Sequence, residues 1–188
     1  MLYFTSDLHF GHKNILKFGR GSTYNTIEEH DQGIIDNWNK VVKKGDEVYV
    51  LGDASLSTNV NFVKEKLEKL NGNKHLIKGN HDRLKMHAEL RNLNIWASIH
   101  EYLEKNVVLN DKEYRLVLSH YPILEFNGAF KPNVIHLYGH IHDMNDYDDI
   151  YKKLGFKALH VGLDCSNKYK NTDKYTPISL ENLIEYLK

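Results

Sequence analysis

Among 188 residues there is one cysteine, Cys165, and there are three prolines, Pro122, Pro132 and Pro177. A lone thiol cannot close an intrachain disulfide, so the fold needs no oxidising compartment. Three scattered prolines leave no Pro-rich linker, and no repeat or low-complexity tract breaks the chain, so a single domain over residues 1–188 is expected. No window approaches the ~18 apolar residues of a membrane span. The strand-like Leu2-Tyr3-Phe4-Thr5 comes at once, without a basic and apolar leader, which predicts a cytoplasmic protein with no membrane partner. Charge of one sign is also missing, because 25 Lys+Arg balance 25 Asp+Glu. That excludes binding driven by bulk basic charge and disfavours nucleic acid as a partner, while leaving room for a local basic groove. Histidine, by contrast, is abundant at 12. With almost no thiolate to accompany it, any metal site must be built from nitrogen and oxygen ligands.

Hydrophobic periodicity places strands and helices in alternation. Thr26 and Glu29 form a capping box for a helix to about Val42, with Ile27, Ile34, Ile35, Trp38 and Val41 as its apolar stripe. Val48–Leu51 reads as a strand, Phe62, Val63, Leu67 and Leu70 as a helix, and His75–Lys78 as another strand. Tyr102–Leu109 and Tyr114–Leu118 flank Asn110-Asp111-Lys112 as a hairpin. Val134–Tyr138 and Ala158–Val161 are two more strands, and Ser179 caps a closing helix. Early alternation followed by consecutive strands predicts an α/β fold with mixed sheets covered by helices.

Five polar clusters fall at C-terminal strand ends: Asp7-Leu8-His9, Gly52-Asp53, Gly79-Asn80-His81-Asp82, Ser119-His120 and Gly139-His140-Ile141-His142. That edge is where ligands bind in open α/β sheets. Asp7, His9, Asp53, Asn80, His120, His140 and His142 together suit two divalent ions such as Mn, Fe, Co, Ni or Zn. In an extended backbone, alternate residues point the same way, so Asp7 with His9, and His140 with His142, can each reach one ion. A carboxylate such as that of Asp53 can bridge two ions roughly 3.5–4 Å apart.

The ordered set Asp-x-His, Gly-Asp, Gly-Asn-His-Asp, His and Gly-His-x-His resembles the calcineurin-like metallophosphoesterase superfamily. The run Thr5-Ser6-Asp7-Leu8-His9-Phe10-Gly11-His12-Lys13-Asn14-Ile15 further resembles its small uncapped bacterial and phage members. The resemblance implies a four-layer α/β/β/α sandwich with two mixed sheets. It implies that Asp7, His9 and His142 hold one metal, that Asn80, His120 and His140 hold the other, and that Asp53 bridges. It further implies that His81 faces the substrate, to stabilise the transition state or protonate the leaving oxygen, with Asp82 orienting the His81 ring.

The expected activity is metal-dependent hydrolysis of a small phosphoester, diester before monoester by analogy with the uncapped relatives, through direct attack of water. No serine or cysteine in the clusters stands out as a nucleophile. Two other readings compete: a non-catalytic scaffold of the same fold that binds a protein partner, and a Mn-dependent nuclease. His12 and Asn14 either touch substrate or cap a helix start. Arg20 either clamps a phosphate or sits solvated in a loop, and Tyr121 either lines the site or packs. The acidic run from Asp143 to Asp149 is expected to rim the site and repel long polyanions. His30, His75, His87, His100, His136 and His160 lack a motif and read as ordinary surface or strand residues, and Cys165 as a packed thiol.

Overall fold

The computed structural model describes residues 1–142, 144 and 146–188. Asp143 and Asn145, which open the acidic run, lie outside the described residues. Strands β1 (Leu2–Thr5), β2 (Glu47–Val50) and β3 (Asn73–Ile77) alternate with helices α1 (Ile27–Val41), α2 (Val60–Glu68) and α3 (Leu84–Asn92). Strand β4 (Ser98–His100) completes the parallel set β4-β3-β2-β1, and the antiparallel β9 (Ile178–Ser179) closes its other edge. The second sheet has the order β5-β6-β7-β8, from β5 (Tyr102–Leu109), β6 (Lys112–Ser119), β7 (Val134–Tyr138) and β8 (Ala158–His160). Its first pair is antiparallel and the other two are parallel, so both sheets are mixed, as expected for this α/β chain.

The two-residue strand period sorts side chains into layers. In β1 and β2, Tyr3, Val48 and Val50 turn toward α1, α2 and α3, where Ile34, Trp38, Val63, Leu67, Met86 and Leu90 complete a core. The alternate residues Phe4, Tyr49, Leu51 and Ile77 meet Leu116, Leu118, Ile135, Leu137 and Leu159 of the second sheet, so the two sheets pack face to face. Helix α5 (Leu180–Tyr186) adds Leu183 and Ile184 to that layer. On the far face, Val117, Val134 and Tyr138 pack with Phe126 and with Tyr151 of α4 (Asp146–Leu154).

Local signals explain the boundaries. Thr26 Oγ1 accepts from Glu29 N at 3.1 Å, and Glu29 Oε2 reaches back to Asn25 N at 2.9 Å, one residue beyond the usual box. Asn110 and Asp111 hold φ of 51° and 59°, and Leu109 pairs with Lys112, giving the two-residue turn that matches hairpin twist. Helices α3 and α4 and the short strands β4 and β9 go beyond the sequence expectation. Arg83 gives α3 no side-chain cap, and its buried positions Met86 and Leu90 are too few to form a stripe.

Candidate metal centre

The two sheets point their parallel strand ends the same way, and a bridge between Ser6 and Gly162 joins the continuation of β1 to that of β8. All five polar clusters therefore arrive at one rim: Asp7 and His9 after β1, Asp53 after β2, Asn80–Asp82 after β3, His120 after β6, and His140 and His142 after β7.

The backbone there is unusual. Asp7, His9, Asp53, His140 and His142 have φ of 60°, 54°, 55°, 73° and 52°. A non-glycine residue in this left-handed region costs of order 1–3 kcal/mol and persists only where its surroundings over-determine it. Here they do. Asp7 N donates to Gly52 O at 2.9 Å, His9 N to Asp53 O at 3.0 Å, and His140 N to Asp7 Oδ2 at 3.0 Å. His81 N donates to Asp53 Oδ1 at 2.9 Å. Gly52 itself has φ of 91°, and a side chain on it would collide with the His120 ring.

Around Asp53, side-chain atoms converge at distances longer than hydrogen bonds. His9 Nε2 lies 3.8 Å from both Asp7 Oδ1 and Asp53 Oδ2, while His120 Nε2 and His81 Nε2 lie 3.7 and 3.9 Å from Asp53 Oδ2. These distances are too long for hydrogen bonds, and Asp7 Oδ1 and His9 Nε2 are buried with no hydrogen-bond partner among the described residues. Orphaned buried polar atoms are costly, but ligands about 2.1 Å from a shared ion stand roughly 3–4 Å apart. The residues therefore fit divalent metal. Asp7, His9 and His142 can offer ligand atoms within 4.8 Å of one another, and so can Asp7, Asp53 and His120. Asp7 is common to both groups, and Asn80 Oδ1 joins the second, 2.9 Å from His120 Nε2. His140 packs its ring edge-on against His120, with centroids 5.0 Å apart.

Hydrogen bonds orient these imidazoles. His120 Nδ1 donates to Leu51 O at 2.8 Å, leaving Nε2 for the centre. His9 Nδ1 shares a 3.3 Å bond with His12 Nδ1, which places His12 behind a ligand. His142 Nδ1 bonds Asp164 Oδ2 at 2.8 Å.

The electrostatics follow from this crowding. Burial pushes the Asp53 carboxyl up to about 6 against the pull of His120. Burial, then cationic neighbours led by Arg20, holds His9 well below the imidazole range, and burial also lowers His12 and His140. Burial disfavours charge on His142 too, but its bond to Asp164 outweighs this and raises it. An acid that resists ionising beside imidazoles that resist protonation is relieved by added positive charge, which divalent ions supply.

Several expectations need correction. Arg20 is neither a solvated loop residue nor a phosphate clamp, because it is fully buried with its guanidinium bonded to protein. Asp82 does not orient the His81 ring. Its Oδ2 accepts from Asp53 N at 2.7 Å and Gly79 N at 2.8 Å, and its Oδ1 pairs with His87 Nε2 at 3.1 Å. It thus shapes the Asp53 turn instead. His30 and His87 are buried in α1 and α3 rather than on the surface or in a strand, whereas His136 and His160 are strand residues, as expected, and are buried. His81 stays at the rim, its side chain 43% exposed. Tyr121 is 47% exposed and packs edge-on to His120 and His140, beside a cleft of about 380 Å³ that Lys78 and Asn80 also line. Asn14 is exposed in the 3-10 helix Lys13–Phe18 and makes no side-chain hydrogen bond among the described residues. Cys165 packs its Sγ 3.0 Å from His160 Nδ1, and burial pushes the thiol up to about 12. Asp164 escaped the sequence reading, although it lies just past the end of β8, the strand-end placement that marked the other clusters.

No family model matches the chain, and no helix among the described residues is long and apolar enough to cross a membrane. The solved structure of the protein of unknown function AQ665 from Aquifex aeolicus superposes with a TM-score of 0.72 at 26% identity, covering 100% of this chain and 99% of that one. The Gene 66 protein of Mycobacterium phage D29 is 26% identical across 87% of this chain and 88% of its own length. An uncharacterised protein of Methanocaldococcus jannaschii, MJ1445, is 31% identical over 187 residues, 99% of this chain and 90% of its own. With identity and coverage of that extent, the chain belongs to the same family as MJ1445.

Proposed function

We propose that the chain is a dinuclear metal-dependent phosphoester hydrolase with the four-layer α/β/β/α sandwich of the calcineurin-like metallophosphoesterases, acting on a small phosphoester and preferring diesters. One observation carries the reading: strand ends of both sheets deliver five left-handed Asp and His residues to one cluster, in which Asp7 Oδ1 and His9 Nε2 are buried without partners among the described residues.

Asp7, His9 and His142 would hold one ion, and Asn80, His120 and His140 the other. Asp53 would contribute its carboxylate to both, and Asp7 is common to both close ligand groups. When bound, such ions supply Lewis-acid activation of water and neutralise charge on the phosphoryl oxygens. The chain's own contribution is positional. Asp53 sits among His9, His81 and His120, so its carboxylate defines the centre from which the reacting phosphorus is measured. His81, half-exposed and 3.9 Å from Asp53 Oδ2, can reach a leaving oxygen from the solvent side and hand it a proton. Tyr121 lines the cleft that would receive the leaving group. The serine that touches the cluster, Ser6, is buried with its hydroxyl donated to Asp7 Oδ2, so it is not free to attack, and water would be the nucleophile.

Turnover of bis-p-nitrophenyl phosphate and of p-nitrophenyl phosphate by protein loaded with Mn²⁺ tests this. Hydrolysis of the diester at the higher kcat/KM is expected. Absence of turnover of both esters across Mn²⁺, Zn²⁺, Ni²⁺, Co²⁺ and Fe²⁺ overturns the reading.

A further inference from the structure

The guanidinium of Arg20 has five N–H donors, and each is used inside the protein. Nε donates to Asp164 Oδ1 at 2.8 Å, and Nη2 to Asp164 Oδ2 at 2.8 Å and to Asp7 O at 2.7 Å. Nη1 reaches Leu8 O at 3.3 Å and His30 Nε2 at 3.0 Å. Asp164 in turn receives His142 Nδ1 at 2.8 Å, and His30 continues to Asp31, which also takes Gly11 N at 3.2 Å. One buried ion pair thus grips the left-handed turn after β1, the turn after β8 and a ligand imidazole after β7.

Ion pairs of this kind are weak evidence for stability, since desolvation offsets their attraction. Their geometry, however, is exacting. The bidentate fork fixes the carboxylate plane, and the carboxylate then requires a proton on His142 Nδ1, which leaves Nε2 bare toward Asp7 and His9.

We propose that Asp164, locked by Arg20, is a positioning residue that sets the tautomer and ring direction of His142, and thereby controls the affinity of one of the two ion sites and not the other. The proposal rests on the dinuclear reading of the centre.

Asp164→Asn keeps the shape but offers an amide N–H to either neighbour. The protein, freed of metal, would be titrated calorimetrically with Mn²⁺, and its bound metal counted by elemental analysis. The ring nitrogens of His142 would be read by ¹⁵N NMR in the metal-free state. For Asp164→Asn we expect a roughly 10–100-fold loss of affinity at one site, an unchanged second site, and a shift of the His142 proton from Nδ1 to Nε2. The loss should vanish when Asp164→Asn is added to His142→Ala, because the effect runs through that ring. If Asp164→Asn does not fold, Arg20→Lys takes its place, since it keeps the buried charge but loses the fork, and the same selective loss is expected. Equal weakening of both sites, unchanged binding at both, or additivity with His142→Ala overturns the proposal. Wild-type protein that binds two Mn²⁺ but hydrolyses neither ester overturns the phosphoesterase activity alone and leaves this test intact.

Discussion

Two places in the molecule gather histidines beside carboxylates, one within the first sheet and the other at the C-terminal end of its strands. Across β2, β3 and β4, Glu47 Oε2 meets His75 Nε2, His75 Nδ1 bonds Ser98 Oγ at 2.7 Å, and His100 Nε2 bonds the same hydroxyl at 2.9 Å. Every residue there lies in regular strand, and Tyr49 stacks on His75 with centroids 4.5 Å apart. At the C-terminal end His9 Nε2 and Asp7 Oδ1 are buried without partners among the described residues, and five residues sit in the left-handed region. The first cluster is complete as it stands. The second leaves buried polar atoms that divalent ions would satisfy if the proposed function holds. Satisfaction and strain distinguish the two histidine clusters where composition cannot.

The sharpest way to break this contrast is to remove the carboxylate at its centre. Burial pushes Asp53 up to about 6, so the folded, metal-free protein near pH 7.5 carries a charge it disfavours. A raised carboxyl value means the charged form costs stability once the pH exceeds its unfolded value, and the full cost is present above pH 6. Asp53→Asn should therefore raise the metal-free Tm, by roughly 2–6 °C for a chain of this size, while abolishing Mn²⁺-dependent turnover and lowering bound metal. Calorimetry and the diester assay check both arms. A lower Tm with activity retained would remove Asp53 from the centre.

His81→Ala comes next. The ring lies at the rim, outside the two close ligand groups. Both ions should remain, and kcat should fall roughly 10²–10⁴-fold, the range of a lost proton donor. Elemental analysis of the variant decides the matter, because loss of metal would make His81 a ligand.

A smaller effect comes from protons competing with metal. His142 is raised above the usual imidazole value by its bond to Asp164, and Asp53 titrates at about 6. Both must be deprotonated to bind an ion, so Mn²⁺ affinity should weaken as the pH drops through about 6, the Asp53 value, with protonation of His142 adding to the loss. His9 is held low and should not limit binding in that window. Titrations at three pH values would reveal the trend, and a flat profile would contradict it.

Much of this was legible in the residues. Short β-rich apolar runs located the central strands, and Asp7, His9, Asp53, Asn80, His120, His140 and His142 all stood at strand ends before any coordinates. The supporting partners were not legible, for a physical reason. Arg20 in sequence is one polar residue in a glycine-rich stretch, and only the fold brings it to Asp164, 144 positions away. Asp82 adjoins His81, which made it a natural partner, yet the turn after β3 directs its carboxylate to backbone amides and to His87. Adjacency predicts which residues share a loop but not which way each one faces. Short α3 and β4 escaped because two buried apolar positions cannot establish a period.

The mildest test probes the satisfied cluster. Glu47 is held below the usual carboxylate range: burial opposes ionisation, and bonds from Asn73 and His75 outweigh it. A depressed carboxylate stabilises the fold above its unfolded value, and that contribution is lost as the pH falls through the folded one. Glu47→Gln should lower the Tm near pH 7, the opposite sign to Asp53→Asn. The Glu47 side chain is 44% exposed, so solvent screening limits the effect to about 1 kcal/mol or less. The difference should disappear only once the pH falls below the depressed folded value and wild-type Glu47 is itself protonated. Metal content and turnover should match wild type throughout, since no strand-end ligand touches Glu47 or His75. If Glu47→Gln instead raised the Tm, or reduced bound metal, the two clusters would not differ in kind, and unsatisfied atoms would lose their value as the mark of the functional one.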